Sequence, residues 1–97
     1  MASSILVNNG GVSVANASTQ VRPAFTDQNR RGFLILTNAG GVDCYVAFGA
    51  DAVAGQGVFL KANGGGVGLS DDWQGIVNAI AVDEAGTTLT FAEGVNS

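Results

Sequence analysis

The segment DWQGIVNAIAVDEAG, residues 72–86, is the best candidate for a helix in the chain, so its assignment separates an all-β fold from a mixed one. Gly75 would interrupt a helix near its start, and no window of the chain sustains helical apolar spacing between a cap and a glycine stop. In a strand, the even-numbered residues from Ile76 to Val82 share one face and the odd-numbered ones share the other. A continuous apolar run of this length is typical of a strand covered on both faces. We therefore predict a strand.

The rest of the chain repeats this pattern of strands and turns. Short apolar or alternating segments, such as FLILT and CYVAF, are separated by turns rich in asparagine and glycine. These two residues tolerate the positive φ of tight turns, whereas Val, Ile, Thr, Phe and Tyr favour strands. Seven to nine short strands predict an all-β fold, a small β-sandwich or jelly-roll-like barrel. Pro23 cannot donate to a strand ladder, so its segment is expected at a sheet edge or bulge.

The chain is predicted to consist of an extended N-terminal arm, residues 1–20, and one β-sandwich domain, residues 21–97. The arm is small, polar and nearly uncharged. An extended segment of this kind can add a strand to another sheet, so we expect it to pair with a neighbouring subunit.

The composition indicates a protein that associates with copies of itself. Only 12% of the residues are charged and 46% are hydrophobic, whereas a soluble domain usually carries about a quarter charged residues. Cys44 is the single cysteine and histidine is absent, so one chain forms neither an internal disulfide nor the usual zinc sites. Subunit contact remains as the stabilising device for so small a chain, so we expect it to self-associate.

Charge and hydropathy exclude two classes of partner. The net charge of −4 argues against a nucleic-acid binder, whose phosphate contacts need a basic face. The longest apolar runs are far shorter than the roughly 20 residues of a membrane-spanning helix. No secretory signal is readable at the N-terminus, so synthesis in the cytoplasm is expected.

The glycine-rich stretch KANGGGVGLSDDW, residues 61–73, could be a phosphate-binding loop or a turn. A phosphate loop places its lysine after the glycines and opens a helix, but here Lys61 precedes them and a strand-like segment follows. A hairpin or bulge is therefore predicted. The adjacent Asp71 and Asp72 lack the further oxygen ligands of a calcium loop and are interpreted as turn residues. Trp73 is either a core or rim anchor or an interface hot spot.

The sequence shows no active site, so we expect a non-enzymatic protein without a cofactor or metal. The usual general base, histidine, is missing. Cys44 lies in a strand-like segment, DCYVAF, and is interpreted as a buried inert thiol. Asp83 and Glu84 lie in a polar turn and are expected to be solvated.

The candidate partner-binding residues are Arg22, Arg30 and Arg31 together with Trp73. The three arginines lie within ten residues of one another and account for all but one of the basic side chains. One interpretation is a solvated edge with ion pairs to Asp27. The other is a cluster that docks on an acidic protein surface, where the planar guanidinium forms paired hydrogen bonds.

Residues 31–93 resemble a group of small all-β structural proteins encoded among the head genes of tailed bacteriophages. The resemblance rests on a "YV-FG" strand and a "W-G-I-AIA" strand, which correspond here to Tyr45, Val46, Phe48 and Gly49, and to Trp73, Gly75, Ile76, Ala79, Ile80 and Ala81. It implies a virion component on the capsid surface, a capsid decoration or cement protein that contacts the major capsid protein and forms trimers. The alternatives are a head–tail or tail-fibre accessory module that binds carbohydrate, and, least supported, a small hydrolase.

Overall fold

The computed structural model describes residues 5–25, 30–70 and 73–96, and these residues form eight β-strands. In chain order, β1 to β8 span Ile5–Val14, Thr19–Arg22, Arg30–Asn38, Cys44–Phe48, Val58–Leu60, Gly66–Leu69, Val77–Ala81 and Thr87–Asn96. The described residues contain no helix long and apolar enough to cross a membrane.

The strands form two four-stranded antiparallel sheets. Sheet 1 has the order β1-β8-β3-β6 and sheet 2 the order β2-β7-β4-β5. Apart from β4 and β5, consecutive strands alternate between the sheets, which is the strand order of a double-sheet jelly roll. The predicted β-sandwich is therefore confirmed.

The core lies between the sheets and follows the alternation of side chains along each strand. In β8 the odd-numbered residues face inward, and Leu89 is fully buried. In sheet 2 the alternation places Cys44 and Val46 on the inner face of β4 and Val77 and Ala79 on the inner face of β7. The remaining members of the core cluster are also small or branched aliphatic residues: Val14, Val21, Leu34, Leu36, Leu60 and Ala81.

Residues 72–86 contain a strand, β7, as predicted, but its outer face is only partly covered. Val77, Ala79 and Ala81 are buried between the sheets. On the other face Ile80 is half-buried and Val82, just after the strand, is 49% exposed. On the same face, Asn78 is buried and donates to the carbonyl of Ala50 at 2.7 Å. The prediction of a strand covered on both faces is therefore wrong at Val82 and only partly met at Ile80, because the cover over the outside of β7 does not extend along the whole strand.

The segment expected to be an arm forms the first strand of sheet 1. From residue 5 onward, β1 pairs with β8 of the same chain over ten consecutive residues without a register shift. Val14 at its end is buried in the core. Pairing with β8 buries apolar area and satisfies backbone groups within one chain, which an extended arm would leave to a partner.

The prediction for the segment around Pro23 is confirmed, whereas the glycine-rich stretch is not the predicted hairpin. Pro23 directly follows β2, an edge strand with a register shift between Gln20 and Arg22, so the edge-or-bulge prediction is confirmed. The glycine-rich stretch does reverse the chain, with Asn63 and Gly64 at positive φ. It joins β5 to β6, which lie in different sheets, so it is a corner between the sheets instead of a hairpin. Turn chemistry predicts a reversal but does not determine which strands pair afterwards.

Candidate functional site

Two of the predicted partner-binding arginines lie inside the sandwich, around Glu93 of β8. We call Arg22, Glu93 and Arg31 the Arg–Glu–Arg cluster. Each arginine lies next to a register shift. In β2 the shift lies between Gln20 and Arg22, and in β3 it lies between Arg31 and Phe33. Such a bulge inverts the alternation of faces and turns the next side chain to the other side of the sheet. Both bulges therefore aim an arginine inward.

The carboxylate of Glu93 is shared between the two guanidinium groups. Its Oε1 accepts hydrogen bonds from Arg22 Nε at 2.9 Å and Arg22 Nη2 at 2.6 Å, and its Oε2 accepts one from Arg31 Nε at 2.8 Å. The side chains of Arg31 and Glu93 are both 0% exposed, and that of Arg22 is 19% exposed. A charge-assisted network this deeply buried is stable only when its groups are paired.

The remaining donors of Arg31 hold the two loops that close this end of the sandwich. Its Nη1 donates to the carbonyls of Trp73 and Gly75 at 2.7 and 3.2 Å, and its Nη2 donates to the carbonyl of Pro23 at 3.0 Å. The side chain of Gln74 donates to the backbone oxygen of Arg31 and accepts from its backbone nitrogen. The guanidinium of Arg31 thus fixes the backbone of residues 73–75 against β3.

Aromatic rings cover the cluster from both sides. The guanidinium carbon of Arg22 lies 4.3 Å from the ring centre of Phe91, and that of Arg31 lies 4.6 Å from the ring centre of Phe25. Cations at this distance over a ring are attracted by its electron-rich face. Among the described residues, no buried side-chain nitrogen or oxygen is left without a hydrogen-bond partner. The buried polar atoms of the cluster are therefore satisfied within the molecule, which is the arrangement of a structural element.

The other residues of the predicted set lie apart from the cluster's interior. Arg30 is exposed at the start of β3. Trp73 is half-buried, donates from Nε1 to the carbonyl of Ile76 at 3.0 Å, and packs edge-on against Phe48. Of the acidic residues considered with this set, Asp27, Asp71 and Asp72 lie outside the described residues.

Cys44 is fully buried on the inner face of β4. Burial raises the pKa of its thiol to about 11, and the neighbouring carboxylate of Asp43 adds to the effect. A raised pKa keeps the thiol protonated at neutral pH and removes its nucleophilic form. Among the described residues, no group of three histidine, cysteine or acidic side chains comes together.

The outer face of sheet 1 is made of small, uncharged residues with a few exposed apolar side chains. Ile35 is 50% exposed and Val7 is 53% exposed. Arg30 lies at one end of this face, by the register of β3 with β8. By the same register, the other described residues on the outer face of sheet 1 are Val7, Asn9, Gly11, Ser13, Phe33, Ile35, Thr37, Gly66, Gly68, Thr88, Thr90, Ala92 and Gly94.

The outer face of sheet 2 carries an aromatic patch, which we define as Tyr45, Phe59, Ile80 and Val82. Tyr45 of β4 lies between Phe59 of β5 and Ile80 of β7 in the sheet register. The rings of Tyr45 and Phe59 have centroids 5.3 Å apart and are tilted by 55°. Phe59 is 48% exposed, which is a large fraction for an aromatic side chain in a sheet.

Sequence reasoning located the arginines but missed the residues that give them their role. Glu93 is not among the residues singled out from the sequence, yet it is the centre of the Arg–Glu–Arg cluster. Gly32 beside Arg31 and Pro23 beside Arg22 are the signals of a bulge that could have indicated the inward turn. The aromatic patch could have been found from β4 and β5, because Tyr45 and Phe59 alternate with buried residues.

No protein-family model and no curated protein matches this sequence.

Proposed function

We propose that this chain is a non-enzymatic structural protein of a phage virion, a capsid decoration or cement protein that bridges and stabilises major capsid subunits. The observation that carries this proposal is the presence of exposed apolar side chains on both outer faces of the sandwich. Ile35 and Val7 lie on sheet 1, and Phe59 and Val82 lie on sheet 2. A protein that bridges other proteins needs two such surfaces, whereas an enzyme needs one concave site with convergent polar groups.

The disposition of charge supports a structural role. The interior uses Arg22, Arg31 and Glu93 for its own stability. Of the predicted contact residues, Arg30 and the half-buried Trp73 remain for contact with a partner. Arg30 would meet acidic groups of the shell, and Trp73 would anchor an apolar contact.

Resemblance and fold analogy support the same class of protein. Residues 31–93 resemble phage head proteins in the "YV-FG" and "W-G-I-AIA" strands. The double-sheet jelly roll is also an architecture of viral capsid domains and of lectins. A shared fold does not itself assign a function, so this support is an analogy.

A decoration protein stabilises a capsid by binding alone, without a catalysed reaction. A protein that binds only the assembled shell stabilises it by mass action, and many copies multiply weak contacts. A homotrimer over the gap between capsid subunits would engage several of them at once. The result would be a shell that is harder to disrupt.

A head–tail or tail-fibre accessory module that binds carbohydrate is the second candidate. It is favoured by the Tyr45–Phe59 pair, with Asp43 two residues before Tyr45 in the chain, since sugar sites combine aromatic rings with acidic groups.

The proposal is tested by mixing the purified chain with undecorated expanded capsids and sedimenting them. We expect the chain to co-sediment in saturable fashion, with a copy number per capsid divisible by three. A chain that stays in the supernatant at tens of micromolar would overturn the proposal, and binding to host surface polysaccharide would favour the accessory module.

A further inference from the structure

We propose that the aromatic patch on sheet 2 is the surface that docks on the shell, and that its occupant is a protein surface with an apolar centre and a basic rim. This inference rests on the proposed function and names the contact that would perform it. The patch combines Phe59 at 48% exposure and Val82 at 49% with the half-buried Tyr45 and Ile80. Exposed aromatic and branched side chains in one cluster are typical of the centre of a protein–protein interface.

The rim of the patch is acidic at one end. Asp43 lies beside Val82, whose backbone nitrogen donates to the Asp43 carbonyl at 3.0 Å, and Asp83 and Glu84 follow directly in the chain. Lys61, just after β5, is the described basic residue at that end. Three carboxylates against one ammonium group favour a partner that presents lysine or arginine around its apolar contact.

A basic partner has the opposite charge to the acidic protein surface that Arg22, Arg30 and Arg31 suggested from the sequence. Arg22 and Arg31 are neutralised in part by Glu93 inside the molecule and do not reach the surface as a docking pair. Outside the Arg–Glu–Arg cluster, the described charges that are exposed or half-exposed are mostly acidic: Arg30, Asp43, Asp51, Lys61, Asp83 and Glu84. The surface around sheet 2 therefore attracts a basic partner.

A second copy of this chain is a poorer occupant. Packing the patch on its own copy would bring two acidic rims together, which like-charge repulsion disfavours. Packing it on the outer face of sheet 1 would stack copies through opposite sides of the sandwich, and such a stack extends as a filament unless the rotation between successive copies closes it into a ring.

A polysaccharide is also a poorer occupant. Sugar rings stack on aromatic faces that lie flat along the binding surface, but the rings of Tyr45 and Phe59 are tilted by 55° relative to each other, so they cannot both lie flat. Packed against each other, the two rings present one apolar contact area, as anchor residues of protein interfaces do.

The test compares capsid binding by the full chain and by two matched variants, Phe59→Ser and Val53→Ser. The two side chains are both 48% exposed, and Val53 lies in the β4–β5 loop, outside the aromatic patch. We expect Phe59→Ser to weaken binding by at least about tenfold, as loss of a hot-spot aromatic does, and Val53→Ser to leave it within about twofold. Val82→Ser repeats the test at a second position of the patch should Phe59→Ser not fold.

The outcomes separate this inference from the proposed function. If the unchanged chain binds capsids and both patch variants bind equally well, the docking surface is wrong and the cement function stands. If the unchanged chain does not bind, the cement function fails and this inference fails with it. Binding to polysaccharide that Phe59→Ser abolishes would show a sugar site and overturn the protein occupant.

The acidic rim has its own readout. The double variant Asp83→Asn with Glu84→Gln should slow association with capsids several-fold in low salt and have little effect in high salt. Asp51→Asn, at an exposed acidic position outside the rim, is the matched control. Faster association after removal of the two carboxylates would contradict the basic-rimmed partner.

Discussion

At the scale of single residues, Glu93 connects three separate parts of the chain. It lies on β8, and its two oxygens hold Arg22 from β2 and Arg31 from β3. Through Arg31 it also orients the loop that carries Trp73. Removing one member of such a buried set leaves the other charges without compensation, which costs far more than losing a surface ion pair.

We therefore predict that Glu93→Gln destabilises the chain by about 3–5 kcal/mol. The amide keeps the shape of the carboxylate but loses its charge, and its NH₂ group would face arginine donors. Chemical denaturation monitored by circular dichroism measures the change. Glu84→Gln, at an exposed position, should stay within about 0.5 kcal/mol of the unchanged chain. Equal effects of the two substitutions would show that the cluster contributes no more than a surface charge.

We predict that ionisation of the Cys44 thiol lowers the folding stability at alkaline pH. Its thiol has a pKa of about 11 in the folded chain against 9.0 as the ordinary value, first because of burial and then because of Asp43. Between these values the unfolded chain releases the proton while the folded chain retains it. Folding stability is therefore fully present below pH 9 and is lost as the pH rises from 9 towards 11.

The change attributable to Cys44 should be on the order of 2 kcal/mol. Denaturation of the unchanged chain and of Cys44→Ala, measured from pH 8 to 11, isolates this contribution, because all other titrating groups are common to both. The stability curve of Cys44→Ala should be the flatter one over this range. Parallel curves would mean that the thiol ionises equally in the folded and unfolded chains.

The inward orientation of Arg22 and Arg31 could not be predicted from the sequence. Arg22 and Arg31 were found from their spacing, but their direction depends on two bulges that reverse the alternation of the strands. The binding partner of both, Glu93, is more than sixty residues away in the chain. No local pattern encodes a contact of that separation, so the interior role of the arginines could not be predicted.

At the scale of elements, the β3–β4 connection offers a matched pair of glycines. A Cβ at Gly40 would lie 2.7 Å from the backbone nitrogen of Thr88 and would also overlap the hydroxyl of Thr87. A Cβ at Gly41 would meet nothing within 4 Å. The first glycine allows the loop to pass close to β8, and the second does not have that role.

Gly40→Ala should accordingly destabilise the chain by about 1–3 kcal/mol, because the methyl group has no space and the contacted atoms are largely backbone. Gly41→Ala should be neutral or slightly stabilising, since alanine restricts the unfolded chain. Thermal denaturation of the two variants tests the packing of this loop. Similar melting temperatures for both would contradict the close approach to β8.

The first strand is the element on which sequence and structure differ most. An arm that served only a neighbouring subunit could be removed without unfolding its own domain. Here β1 covers one side of β8 and contributes Val14 to the core. We predict that deletion of residues 1–14 unfolds the chain or makes it aggregate, because it also exposes the long edge of β8. A truncated chain that keeps a folded β-rich spectrum and loses only self-association would restore the arm interpretation.

Most strands could be predicted because turn chemistry and alternation are local. The segments FLILT and CYVAF lie in β3 and β4, and Pro23 marks the end of edge strand β2. The pairing of β1 with β8 could not be predicted, since it joins the two ends of the chain. The exposure of Val82 was missed for a related reason: an apolar run shows that a strand can be buried, not which elements cover it.

At the scale of the whole molecule, the sandwich has apolar side chains on two opposite outer faces and its buried charges in one internal cluster. The dimensions are 47 × 23 × 16 Å. Packed sheets of a sandwich lie about 10 Å apart, so the two outer faces are close together. A thin body with two adhesive faces is suited to lie between other proteins. Its low content of charged residues, 12%, fits a surface that is covered in an assembly.

We propose that binding of this chain stabilises a preformed shell, and calorimetry of undecorated expanded capsids at increasing occupancy tests this. We predict that the disruption temperature of the capsid rises with the number of bound copies and levels off at saturation, because a ligand specific to the assembled state adds free energy with each bound copy. Binding to saturation without a rise in that temperature would contradict the cement function.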